Sequence, residues 1–273
     1  MARLSSEAES EAPIRVDADA IDTSARLVAR NLEVISKIAD RCKTYYTGAI
    51  TTEMVTHWLL QFRHPTWVAH AITLLQHLHF IDEPQMLSLL KRAYEQIPDH
   101  HRTGATLSGI GRAYDSGARV GYGFAKSLGL TERELTALWR EQAGVFTSIL
   151  PAVILVDDNL SSGTQLERYF AEMTADFGGE REHFQEPLSQ DQLSHARQMP
   201  LYILVAVELG DGKTRVIQAA ARQRIAVTIF SGYEDHTKFL EYGNRLWTSA
   251  QEAADARKMI SWTARQLFAD KWS

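Results

Sequence analysis

AVILVDDNLSSGTQLER, residues 152–168, is the stretch around which the rest of the chain is read. Val153 to Val156 form a short apolar run that predicts a fully buried strand. Asp157 and Asp158 follow where that strand is expected to end. A small polar loop comes next, Asn159-Leu160-Ser161-Ser162-Gly163-Thr164, and Gln165 to Phe170 opens a helical pattern. Strand, acidic pair, hydroxyl-rich loop and helix N-terminus together suit a phosphorylated sugar. Backbone N–H groups of the loop and of the helix start attract a phosphate. Ser161, Ser162 and Thr164 offer hydroxyl donors, and Gly163 lets a ligand approach the backbone closely. The carboxylates repel a phosphate but accept hydrogen bonds from neutral sugar hydroxyls. The same residues also fit an ordinary strand that ends in an Asp-rich turn with a Ser cap.

The chain has 273 residues, 45% of them hydrophobic and 23% charged, which suits one large globular domain or two smaller ones. A net charge of −5 argues against a broad nucleic-acid footprint. A single cysteine, Cys42, excludes an internal disulfide and is compatible with a reducing cytoplasm. No run approaches the ~18 apolar residues of a membrane span. The acidic start, MARLSSEAESEAP, lacks the basic and apolar regions of a signal peptide, so a cytoplasmic protein is expected.

Outward from the central stretch, three segments are expected. Residues 1–22 are Ser/Glu/Ala/Asp-rich and read as a loose acidic arm. Residues 23–102 read as a helical region, with apolar stripes over about 23–46, 51–64, 66–80 and 82–97. Trp58 and Trp67 belong to those stripes as core residues. The histidines lack ligand spacing, and no metal-ligating set is assigned. Residues 103–273 then read as an α/β domain. The part over 103–129 holds seven of the sixteen glycines beside Arg112, Arg119 and Lys126, a composition that lets a loop approach a diphosphate. Ser116-Gly117 leads there into a helix-like run. A glycine-rich surface loop with a helix cap fits those residues as well.

A further helix is expected over Thr131–Ser148, opened by a capping box. The polar stretch 174–199 reads as either a lid or a surface excursion. Apolar runs at Leu201–Val207 and Ile225–Phe230, with a helix between them, predict a parallel sheet covered on both faces. Ligands bind beyond the carboxyl ends of such strands, which places Glu208 and Ser231 near the same rim as Asp157. A last helix is expected at about 249–270.

Val153–Gln165 resembles the phosphoribosyl-diphosphate motif of type I phosphoribosyltransferases: four apolar residues, two acidic, three mixed, then Thr/Ser-Gly-x-Thr/Ser. It departs at the final position, where Gln165 stands in place of a hydroxyl. The wider layout, WLLQF, then SGARVGYGFAKSLGL, then VILVDDNLSSGTQL, is similar to the phosphoribosyltransferase-like domains of bacterial conflict and anti-phage systems, including some retrons. The resemblance implies a phosphoribosyltransferase-type α/β core behind an N-terminal helical bundle. It implies ribose contacts from Asp157 and Asp158, and phosphate contacts from Ser161, Ser162, Gly163, Thr164 and Gln165. It also implies diphosphate contacts from Ser116 and Gly117, with Arg112 or Arg119, and Mg²⁺ as the companion of phosphoribosyl diphosphate. A further strand after the last helix is implied too, to be missing here or supplied by a partner.

Three functions are consistent with this reading. The first is a toxin-like effector of a defence system that acts at the ribose anomeric carbon of phosphoribosyl diphosphate or a related nucleotide. The second is a nucleotide-sensing or assembly subunit that docks on a partner such as a reverse transcriptase with its RNA–DNA product. The third is nucleobase salvage, against which the large helical region and Gln165 both argue.

Overall fold

A computed structural model describes residues 18–42, 50–62, 64–111, 116–130, 146–147, 149–235 and 246–267. The described residues form eleven helices and one four-stranded, all-parallel sheet. They divide into two units, 1–80 with 239–273, and 81–238.

The first unit begins with α1 (Ala18–Arg30) and α2 (Leu32–Cys42). One continuous helix was expected here, and Asn31 interrupts it. The Asn31 side-chain amide donates to the Leu27 carbonyl at 2.8 Å, the local competition with the helix ladder that Asn is prone to. The helix also starts at Ala18, inside the segment expected to be an arm. Next come α3 (Thr52–Leu59), capped by the Thr51 hydroxyl, and α4 (Pro65–His77), with proline at its first position. Arg41 donates to the Leu75 and Gln76 carbonyls at 2.8 Å each, which satisfies the last turn of α4. Ile35, Ile38, Leu59, Phe62, Val68 and Ala71 fill the core, with Trp58 and Trp67 packed at its edge. His70 is buried edge-on against Trp247, 5.1 Å between ring centres, and burial lowers its pKa.

The second unit opens with α5 (Glu83–Tyr94), whose Asp82 and Gln85 form a reciprocal capping box, and the short α6 (Asp99–Arg102). The sheet follows: β1 (Thr106–Gly109), β2 (Val153–Leu160), β3 (Leu201–Leu209) and β4 (Val227–Asp235), in that spatial order. Between them lie α7 (Ser116–Ser127), α8 (Thr164–Glu172), α9 (Gln190–Gln198) and α10 (Gly212–Arg222). The last helix, α11 (Ala250–Leu267), belongs to the first unit, where Met259 joins the core of α1 to α4.

Burial explains the division. Val153, Leu155, Leu201, Ile203 and Val205 face one side of the sheet with Leu166, Phe170 and Val216 of α8 and α10. Ile154, Val156, Tyr202, Leu204 and Ala206 face the other with Leu90 and Ala93 of α5 and Val120 and Phe124 of α7. Two-sided burial is why these strands read as unbroken apolar runs. The boundary expected from the sequence was 102/103. α5 covers the sheet, with the Leu89 backbone pressed where Gly232 has no side chain, so the division falls near residue 80. The expected helix over 131–148 lies almost wholly outside the described residues.

The stretch 174–188 is neither strand nor helix, and it is pinned rather than lid-like. Glu172, fully buried at the end of α8, accepts from the backbone N–H groups of Glu182, His183 and Phe184 and from Arg168 Nε at 2.8 Å. Arg181 donates to the Glu172 and Thr174 carbonyls. Phe184 and Leu188 complete the clasp from inside the core.

Candidate functional site

β2 runs four residues further than the apolar run alone predicts, so Asp157 and Asp158 sit within the strand rather than after it. The pairing holds them there: Asp157 is in register with Val205, and Asn159 with Val207. Asp158, Ala206 and Gly232, side by side in that register, carry no pairing of their own. The in–out alternation shifts at this row, so Leu160 joins the same cluster as Val153 and Leu155 despite its opposite parity. Asp157 is buried, and its Oδ1 accepts the Asp158 N–H at 2.9 Å. Asp158 is half-buried and accepts from the Asn159 side-chain amide at 2.8 Å.

The helices that follow β1 and β2 leave in opposite directions. α7 packs on the α5 face of the sheet and α8 on the other. Diverging connections open a crevice between the carboxyl ends of two neighbouring strands, the usual place for a ligand in a parallel sheet. The start of α7 comes close to the end of β1 and to β2 because Gly117 has no side chain. A Cβ there would run into the Ile110 carbonyl and lie 2.9 Å from Asp157 Oδ1. The structure therefore brings Ser116 and Gly117 to the acidic pair. Arg119 is turned away: its guanidinium lies 3.7 Å from Glu83 on α5 and is largely exposed. From the sequence it was expected at the diphosphate. Arg112 lies outside the described residues.

The loop after β2 turns at Gly163, which is buried with φ +70° and caps α8. A Cβ at Gly163 would lie 2.6 Å from the Gly212 carbonyl, and one at Gly212 would meet Ser161 O and stand 3.0 Å from Gly163 N. The start of α10 is thus seated directly on the loop. Ser161, Ser162, Thr164 and Gln165 are exposed. Ser162 Oγ and Thr164 Oγ1 are 3.0 Å apart, and Arg215 of α10 donates to Thr164 Oγ1 at 3.0 Å. Neither Gly212 nor Arg215 was expected at this loop. Their signal was present: α10 carries two cations, Lys213 and Arg215, in its first turn, where Asp211 at the N-cap is the one acid that suits the helix dipole.

Beside the loop, Glu208 is buried and accepts from Ser231 Oγ at 3.1 Å and Lys213 Nζ at 3.3 Å. Both residues expected at the rim are there, held in a network of their own. A cleft of about 300 Å³ lies between α8 and α10, lined by Thr164, Glu167, Arg168, Phe177 and Arg222. It meets the loop only at Thr164 and contains neither carboxylate.

Among the described residues no group of three or more His, Cys, Asp and Glu side chains is placed to hold a metal ion. Mg²⁺ does not need one, since it binds through one or two carboxylates, water and the phosphates of its ligand. Asp157 and Asp158, adjacent on β2, would be the carboxylates available to such an ion.

The family model described as PRTase-CE matches residues 55–270. No curated protein and no solved structure matches the chain. Among the described residues no helix is long and apolar enough to cross a membrane.

Proposed function

Because the chain belongs to the PRTase-CE family, and so carries a phosphoribosyltransferase-like domain, we propose that the crevice at the carboxyl ends of β1 and β2 binds phosphoribosyl diphosphate or a related nucleotide. The observation that carries this reading is the contact of Gly117 with Asp157, which joins a helix start suited to a diphosphate to a carboxylate suited to a ribose. Asp157 and Asp158 accept hydrogen bonds from the ribose hydroxyls. Ser161 to Gln165 and the first N–H groups of α8 hold the 5′-phosphate. Ser116 and Gly117 present the start of α7 to the diphosphate.

The reaction is substitution at the anomeric carbon. The acceptor forms a bond to C1′, the bond from C1′ to the diphosphate oxygen breaks, and pyrophosphate leaves with the electron pair. Mg²⁺, when bound, neutralises the leaving diphosphate. The carboxylate pair stabilises the positive charge that grows on the ribose ring as the bond breaks. The resemblance to domains of bacterial conflict systems extends the reading to a cytoplasmic, toxin-like effector of an anti-phage system, with another subunit of that system as its partner.

Release of pyrophosphate from phosphoribosyl diphosphate and Mg²⁺, with water or a nucleobase as acceptor, tests the activity. The wild type is expected to release it. Asp158→Asn, which keeps the shape and removes the charge, is expected to lower the rate by at least about tenfold. Binding of the ligand with no turnover by any acceptor would favour the sensing role instead.

A further inference from the structure

Thr164 sits at the first position of α8, in the loop proposed for the 5′-phosphate, and its hydroxyl accepts a hydrogen bond from Arg215 NH1 at 3.0 Å. We propose that Arg215 is the phosphate-reading cation of this site and selects ligands whose 5′ position carries a dianionic phosphate. The inference rests on the phosphate reading given above and adds to it a residue from a separate helix.

Four observations converge on Arg215. Its helix is seated on the loop through Gly163 and Gly212, so the guanidinium is brought to the loop by backbone packing rather than by a swinging side chain. The two cations of the first turn of α10 are treated differently. Lys213 is hydrogen-bonded to a buried carboxylate, Glu208, at 3.3 Å, whereas the carboxylate nearest Arg215, Glu167 Oε2, is an ion-pair neighbour at 3.8 Å, beyond hydrogen-bond distance. Glu167 is drawn to Arg222 instead, at 2.9 Å. A cation in the first turn of a helix opposes the helix dipole, and an anion bound beside it removes that opposition. Finally, Gln165 stands where the resembled motif has a hydroxyl, so the loop offers there only a neutral amide N–H₂ as donor. A planar guanidinium with parallel N–H groups supplies a stronger one.

When Arg215 donates to Thr164 Oγ1, that hydroxyl directs its own proton either to Ser162 Oγ, 3.0 Å away, or to a ligand oxygen. Arginine and hydroxyl then form a single donor surface. The Glu167 carboxylate, one turn into α8 and 3.8 Å from the guanidinium, repels an incoming phosphate, so its removal tightens the site.

The test is calorimetric titration of ribose 5-phosphate, ribose and pyrophosphate into the full chain and into Arg215→Gln, Arg215→Lys and Glu167→Gln. Half of the Arg215 side chain is exposed, and thermal denaturation of each variant checks that the fold is kept. Ribose 5-phosphate is expected to bind Arg215→Gln at least about tenfold more weakly, the size of one lost charge-assisted hydrogen bond. Pyrophosphate is expected to bind it as it binds the wild type. Arg215→Lys recovers part of the loss, Glu167→Gln binds ribose 5-phosphate more tightly than the wild type, and ribose alone does not distinguish the four proteins. Equal affinity of wild type and Arg215→Gln for ribose 5-phosphate overturns the role of Arg215 and leaves the phosphate loop standing. No binding of ribose 5-phosphate or pyrophosphate by the folded wild type overturns the site itself, and Arg215 with it.

Discussion

Gly163 combines two constraints that no other residue type meets. Its φ of +70° belongs to the left-handed region, and a Cβ would stand 2.6 Å from the Gly212 carbonyl. Alanine there carries the cost of the left-handed conformation and of crowding the first turn of α10. A loss of about 2–4 kcal/mol in urea unfolding is expected for Gly163→Ala. A change below about 0.5 kcal/mol, the range of ordinary surface substitutions, would show that the loop is not held against α10 as described. At this scale the sequence was legible in its order of residue types, an acidic pair and then a loop that turns at Gly163 ahead of α8. It was not legible where a side chain's direction decides. Arg119 lies next to the glycine-rich start of α7, yet the turn of the helix delivers it to Glu83. Arg215 is 51 residues from Thr164 and comes to it only through the packing of α10 on the loop.

The clasp made by Glu172 shows how an element without regular structure is fixed. Burial alone raises a carboxyl pKa. Here the backbone N–H groups of His183 and Glu182 and the guanidinium of Arg168 outweigh burial and hold Glu172 below its ordinary value of 4.5. A carboxyl whose folded pKa is depressed contributes stability that is complete above its unfolded pKa. That contribution is lost as the pH falls through the lower, folded value. The wild type is therefore expected to lose stability progressively below about pH 4.5, with amide exchange at residues 182–184 rising along with it. Glu172→Gln is expected to cost about 2 kcal/mol at neutral pH and to flatten that part of the acid profile. An unchanged acid profile in the variant would contradict the clasp. Elements were read well from sequence when one periodicity governed them, as in α5, β3 and α10. β1 was missed because it has four residues inside a glycine-rich stretch, too few to show a strand period. The extensions of β2 and β4 were missed because most of the added residues are polar, and ladder pairing with β3 keeps them in the sheet.

Across the whole molecule, covering both faces of the sheet decides which segments belong together. The first unit takes α1 to α4 from one end of the chain and α11 from the other, and α5 goes with the sheet although it follows α4 closely in sequence. A helix stripe announces that a face will be buried but not against what, so the helices were legible and their allegiance was not. The parallel sheet was legible because strands buried on both faces leave unbroken apolar runs. The central claim concerns the proposed ligand site at the carboxyl ends of β1 and β2, and calorimetric titration of phosphoribosyl diphosphate with Mg²⁺ into the full chain tests it most directly. We predict micromolar binding by the wild type, weakened at least about tenfold in both Asp158→Asn and Ser162→Ala, since each removes a hydrogen-bonding partner of a charged or polyhydroxylated ligand. A folded wild type that takes up no heat with this ligand, or variants that bind it as tightly as the wild type, would contradict the account.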